Sequence, residues 1–263
     1  DITLSRVEHP AGCELDPQRL QRGVLDGCGL VTSQAGRTLA QGLKRLAFRV
    51  GQRLDRTVEG RAKRLPVEVL EPGAEPEYVT NDIPWNVEGG ALSDDRRRAA
   101  FSVNEGGRSA LYLLDTQSRE YRRVDSIPVG LVGGFRFTPD GSTLALTINT
   151  ARSPSDAYVL HLGGSPLEYG KLERWTYSEV GGLDTTTFRE PELIQFPTFD
   201  EVDGKPRQIP AWLYKPAGSG PFPVVVSIHG GPEGQARPAF VSTYQLWLEK
   251  LGVAVLVPNV RGS

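Results

Sequence analysis

The chain has 263 residues, 38% of them hydrophobic and 24% charged, with a formal net charge of -2 at pH 7. That is enough to bury a sizeable core in one large or two medium domains, and the near-neutral charge gives no electrostatic reason to expect nucleic acid or an anionic membrane as partner. No apolar run approaches the roughly 18 residues of a membrane span, and residues 1–25 lack the basic-then-apolar layout of a secretion signal; a soluble chain is expected, its location, cytoplasmic or periplasmic, unassigned.

Residue 1 is Asp and the sequence contains no Met, which leads us to expect a piece of a longer protein. Residues 1–38 match no pattern found elsewhere in the chain and stay unassigned. Cys13 and Cys28 have neither zinc-type nor redox spacing and read as free thiols; nothing in the sequence calls for a metal or cofactor.

From residue 39 the pattern is β. Residues 87–104 (VEGGALSDDRRRAAFSVN) align with residues 132–149 (VGGFRFTPDGSTLALTIN), an offset of 45 that places Asn104 on Asn149, Asp95 on Asp140 and Gly89 on Gly134. Large apolar residues alternate within the copies, as in Phe135/Phe137 and Leu144/Leu146/Ile148, the period of half-buried strands. Thr138-Pro139-Asp140-Gly141 supplies turn chemistry, with Pro presetting φ and Gly accepting a positive one. Each copy continues into a further strand pair, beginning at residues 111–115 and 157–160. A fainter third copy spans residues 43–50 and 67–70. Four strands per roughly 45 residues is the signature of a β-propeller blade, so residues 39–195 are expected to form a partial β-propeller of about three blades. An all-β sandwich with coincidental spacing is the alternative.

Residues 178–199 show no clear period and carry Gly, Pro and Thr, as expected of an interdomain connection. Residues 196–263 then read as the start of an α/β-hydrolase domain. A strand is expected at 209–216, followed by a continuous apolar strand at 223–228 of the kind covered on both faces. A helix is expected over 241–251 with Tyr244, Leu248 and Leu251 stacked and Gly252 as its C-cap, then another buried strand at 253–257. Strand, helix, strand is one crossover unit of a mostly parallel sheet.

The chemistry sits at His229-Gly230-Gly231-Pro232, after the first of these buried strands. Acyl transfer needs donors aimed at the oxygen of a tetrahedral intermediate, and backbone N–H groups in a glycine turn at a strand end provide them. His229, Gly230 and Gly231 are therefore candidate oxyanion-loop residues; a plain strand-to-helix turn with an incidental histidine is the bland alternative. No G-x-S-x-G elbow occurs, since Ser109, Ser165 and Ser219 each lack a flanking glycine. In the hydrolase order Ser, Asp and His all follow the oxyanion loop, so they are expected beyond Ser263. His9 and His161 read as solvated or turn histidines.

Four segments (172–184, 188–194, 229–235 and 258–263, the last two being HGGPEGQ and PNVRGS) together resemble serine peptidases of the prolyl oligopeptidase family, nearest to its dipeptidyl and acylaminoacyl peptidase branches. The resemblance covers about residues 80–263. It implies an access-restricting propeller, a hydrolase domain cleaving short peptides, and a Gly231 amide as the oxyanion donor; a chain ending before the elbow would be inactive by itself. A propeller-type binding or scaffolding module with a degenerate hydrolase segment is the competing reading, and an esterase of the same fold a third.

Overall fold

The computed structural model describes residues 47–50, 67–70, 77–231 and 233–263. The unassigned segment 1–38, with His9, Cys13 and Cys28, lies outside them.

The sequence repeat is a repeat of sheets. Strands β1 (Ala47–Val50), β2 (Val67–Leu70) and β3 (Glu77–Tyr78) form a three-stranded sheet at the position of the faint third copy. Next, β4 (Asn86–Leu92), β5 (Arg98–Glu105), β6 (Arg108–Asp115) and β7 (Tyr121–Arg123) form a four-stranded antiparallel sheet. A second such sheet follows from β8 (Gly130–Phe137), β9 (Thr143–Thr150), β10 (Ser153–Leu162) and β11 (Tyr169–Arg174). Each is a meander of consecutive strands, with no strand exchanged between them. The expected period of two is present on β9, where Leu144, Leu146 and Ile148 are buried. They pack with Ala100, Leu111 and Leu113 of the first sheet in one core cluster, so the two sheets lie face to face.

The repeat extends to hydrogen bonds in the turns. Thr138 Oγ1 donates to Asp140 Oδ1 at 2.6 Å and accepts from the Thr143 amide, while Gly141 holds φ at 68°. In the other copy Ser93 Oγ donates to Asp95 Oδ1 at 2.6 Å and accepts from the Arg98 amide, with Arg96 at φ 60° in the place of the glycine. Arg98 then joins the sheets. It is 7% exposed, and its guanidinium donates to the carbonyls of Pro166, Gly141, Gly163 and Ser165, all in turns of the second sheet. Four carbonyl acceptors supply the partners a buried cation requires.

The C-terminal part forms a third four-stranded sheet from β12 (Glu192–Val202), β13 (Lys205–Tyr214), β14 (Val224–Val226) and β15 (Ala254–Pro258), in the order β12-β13-β15-β14. The β14–β15 pair is parallel and is connected through α1 (Ser242–Leu246), which gives the expected crossover. The other two pairings are antiparallel, so this sheet is mixed rather than mostly parallel.

Three local expectations are corrected. Residues 178–199 are not only a connection, because most of β12 lies in them. Its signal is weak because β12 is an edge strand that accommodates Pro197 and buries little. Val224, Val225 and Val226 are 54%, 37% and 53% exposed, not covered on both faces. β14 is an edge strand paired only with β15 among the described residues, and its faces remain open. Leu251 is exposed because α1 continues into a π-helical turn, Trp247–Leu251, whose wider winding rotates residue 251 away from Leu248. Gly252 does cap this turn, at φ 63°.

Asp156 on β10 is 2% exposed and accepts from Thr176 Oγ1, the Ser178 amide, Ser153 Oγ and Arg174 Nη2. Burial alone would raise its carboxyl, but these donors outweigh it and hold it below the ordinary value of 3.8. With the folded pKa below the unfolded one, this stabilisation is complete above the unfolded value and is lost as pH falls through the folded value. Asp156→Asn should cost about 2 kcal/mol at neutral pH and flatten the acid limb of the stability profile. Urea unfolding at neutral and acidic pH checks this; identical acid limbs in variant and wild type would refute it.

Candidate active-site loop

The ends of β14 and β15 lie side by side because the two strands are parallel, and loops at such carboxyl ends are where open α/β sheets place ligands. The loop after β14 begins with Ser227. Its amide donates to Leu256 O at 2.9 Å, and its hydroxyl lies 2.7 Å from the Tyr244 hydroxyl on α1. Tyr244 packs edge-on against Tyr214, whose phenol burial pushes well above its ordinary pKa.

His229 follows, with Nε2 2.8 Å from Ser263 Oγ and Nδ1 3.3 Å from Gly230 O. Sequence reasoning did not anticipate this Ser–His contact, because 34 residues separate the partners. Ser263 sits in a turn closed by its own amide to Val260 O at 3.0 Å, not on a strand-to-helix elbow. Among the described residues no carboxylate is bonded to His229 to complete a triad. The contact ties the loop after β14 to the loop after β15.

Gly230 and Gly231 are both exposed, and a Cβ built on either meets nothing within 4 Å. Gly231 lies at φ 60°, a conformation that favours glycine. A turn closes behind it, with the Gly234 amide donating to Gly231 O at 2.7 Å. A Cβ on Gly234 would lie 2.7 Å from Gly230 O, so the turn also needs glycine there. The space beside both glycines is thus open at a strand end.

The loop's next residues are held on both sides. Asn259, 6% exposed and just after β15, accepts from the Ala236 amide through Oδ1 at 2.7 Å and donates from Nδ2 to Ala236 O at 3.0 Å. Trp212 Nε1 donates to the same carbonyl at 3.1 Å. From the first repeat sheet, Asn104 Nδ2 donates to Gln235 Oε1 at 2.8 Å and Glu88 pairs with Arg237. Glu88 also lines a cleft of about 500 Å³ between β4 and β8, together with Gly89, Gly90, Gly133, Gly134 and Phe135. Gln235 and Asn259 lie in the two motif strings but their roles, like those of Arg237 and Glu88, were not legible in the sequence, since each acts through a partner remote along the chain. His161, in contrast, is an exposed histidine 3.2 Å from Glu173 on the neighbouring strand.

Asn259→Ala removes both bonds to Ala236 and leaves its buried amide without a partner, an expected loss of about 2 kcal/mol. It should also accelerate exchange of the Ala236 amide hydrogen. Urea unfolding combined with hydrogen exchange measures both; unchanged exchange at Ala236 would show that Asn259 does not hold the loop.

No family model matches the chain. It is 27% identical over 135 residues to the "Uncharacterized peptidase YuxL" of Bacillus subtilis (strain 168), which is 50% of this chain and 19% of that protein. Among solved structures it is similar to the acylaminoacyl peptidase of Pyrococcus horikoshii, with a TM-score of 0.55 and 23% identity, covering 76% of this chain and 29% of that one. It is also similar to a prolyl endopeptidase, with a TM-score of 0.59 and 16% identity, covering 76% and 28%. The chain therefore spans less than a third of the length of these structures and under a fifth of the relative. By fold and by sequence likeness, the chain resembles part of a peptidase of the prolyl oligopeptidase family, as its motifs do.

Proposed function

We propose that this chain belongs to a serine peptidase that hydrolyses short peptides through an acyl-enzyme, and that residues 229–231 are its oxyanion loop. The observation that carries the reading is the open glycine pair after β14, with Gly231 at φ 60° and no atom within 4 Å of where its Cβ would lie. A Gly231 N–H stabilises the negative oxygen that forms when a serine hydroxyl attacks the peptide carbonyl. A histidine takes the serine proton and returns it to the leaving amine, and an aspartate orients that histidine. The hydrolase order places those three groups after the oxyanion loop, beyond Ser263.

The two meander sheets, with the smaller sheet before them, are the partial β-propeller of this proposal. It restricts access to the catalytic domain. Consecutive strands within each sheet support the propeller over a sandwich, whose Greek-key connections carry strands from one sheet to the other.

The coding sequence past Ser263 should contain a G-x-S-x-G-type elbow within about 100 residues, then an Asp and a His. This chain alone should not react with a fluorophosphonate serine probe, while a longer protein carrying the elbow should label at the elbow serine. An in-frame stop, or an elbow without serine, would sink the peptidase reading and favour a scaffolding module. Labelling at Ser263 would assign the nucleophile to the His229–Ser263 pair instead.

A further inference from the structure

The segment that follows the candidate oxyanion glycines is seated on the two repeat sheets at equivalent places. Asn104 and Asn149, which the 45-residue repeat aligns, both bond to it. Asn104 Nδ2 donates to Gln235 Oε1, and Asn149 Oδ1 accepts from the Phe240 amide at 2.7 Å. Each asparagine lies at the end of the second strand of its sheet, next to the hairpin leading to the third. Those hairpins take the next contacts: Gly107 O accepts from Arg237 Nε at 2.8 Å, and Ala151 O accepts from Gln245 Nε2 at 2.8 Å.

Arg237 carries most of this seat. Nη1 lies 2.6 Å from Glu88 Oε1 and Nη2 3.1 Å from Glu88 Oε2, a bidentate pair, and Nη2 also donates to Ser109 Oγ at 3.1 Å. With Nε on Gly107 O, one planar side chain thus meets β4, β6 and the β5–β6 hairpin. The residue before it, Ala236, is fixed from the opposite side by Asn259 and Trp212. The Gly231–Gly234 turn hangs directly from this fixed point, two residues before Ala236.

We propose that Arg237 is a positioning residue for the oxyanion loop, and that through it Glu88 and the first repeat sheet set where the Gly231 amide points. The inference rests on the hydrolase reading of residues 229–231. Loss of Arg237 removes the ties to Glu88, Ser109 and Gly107 while the Asn104–Gln235, Asn149–Phe240 and Asn259–Ala236 bonds remain, so the loop stays folded but its glycine turn gains freedom. A displacement of about 1 Å at a catalytic group costs on the order of 100-fold in rate, and partial loosening costs less.

The test uses Arg237→Gln, Arg237→Lys and Glu88→Gln in the longer protein that carries the nucleophile, and in this chain. In the longer protein Arg237→Gln should lower kcat about 10-fold or more with KM changed less than about 3-fold, because the oxyanion donor acts in the transition state. Arg237→Lys, which keeps the charge but not the fork, should recover part of the loss, and Glu88→Gln should lie between. In this chain, Arg237→Gln should make amides of residues 229–236 exchange about 10-fold faster, with exchange in β9 and β13 unchanged. A lower melting temperature with wild-type kcat and wild-type exchange in the loop would overturn the proposal and leave Arg237 as a structural tie. If the longer wild-type protein neither hydrolyses peptides nor labels with a fluorophosphonate, the peptidase reading has failed, and loop exchange alone still decides whether Arg237 fixes the turn.

Discussion

The structure around the candidate site depends on how one residue's backbone is satisfied. Ala236 lies between the mixed sheet and the first repeat sheet, where water does not reach its amide or carbonyl, and buried peptide groups must find partners. Asn259 supplies a donor and an acceptor in a single side chain, matching the peptide group as a neighbouring strand would, and Trp212 adds a second donor to the carbonyl. Once that peptide is fixed, the directions of Gln235 and Arg237 follow, and so does the approach of the glycine turn. Asparagine suits the place because no apolar residue of its size offers both a donor and an acceptor.

The two repeat sheets are joined by a different device. Their shared cluster of Leu111, Leu113, Leu144, Leu146, Ile148 and Leu160 supplies non-directional burial, which by itself would tolerate sliding of one sheet over the other. Arg98 removes that freedom. Its four carbonyl acceptors lie in the turns of the neighbouring sheet, and a planar fork meets them in one arrangement only. Directional bonds at the rim thus set the register of sheets that the apolar core merely brings together, and the Asn104 and Asn149 side chains inherit their places from it.

Val224, Val225, Val226 and Ile228 are all exposed. Three adjacent valines form β14, and Ile228 follows Ser227 just beyond it; this composition calls for cover, yet the strand's free edge and faces are open among the described residues. The apolar sequence and the observed exposure are reconciled if further strands and helices pack there, which agrees with a chain that spans under a third of the structures it resembles.

What was legible in the sequence was whatever leaves a local or periodic mark. The offset of 45 marked the sheets, down to the paired Ser93–Asp95 and Thr138–Asp140 turns. Positive φ at Gly141 and the cap at Gly252 followed from glycine at turn and cap positions. The crossover unit around α1 followed from apolar runs flanking a helical spacing. β12 escaped because an edge strand broken by Pro197 carries little apolar alternation, and Leu251 escaped because a π turn is not encoded in the spacing that suggests a helix. The sequence alone therefore determined the two repeat sheets, the crossover and the glycine corner. Only the tertiary structure decided that Arg237 meets Glu88, that Asn259 holds Ala236, and that His229 faces Ser263, because each is a directional bond between segments 23 to 149 residues apart, and such bonds leave no trace in local pattern.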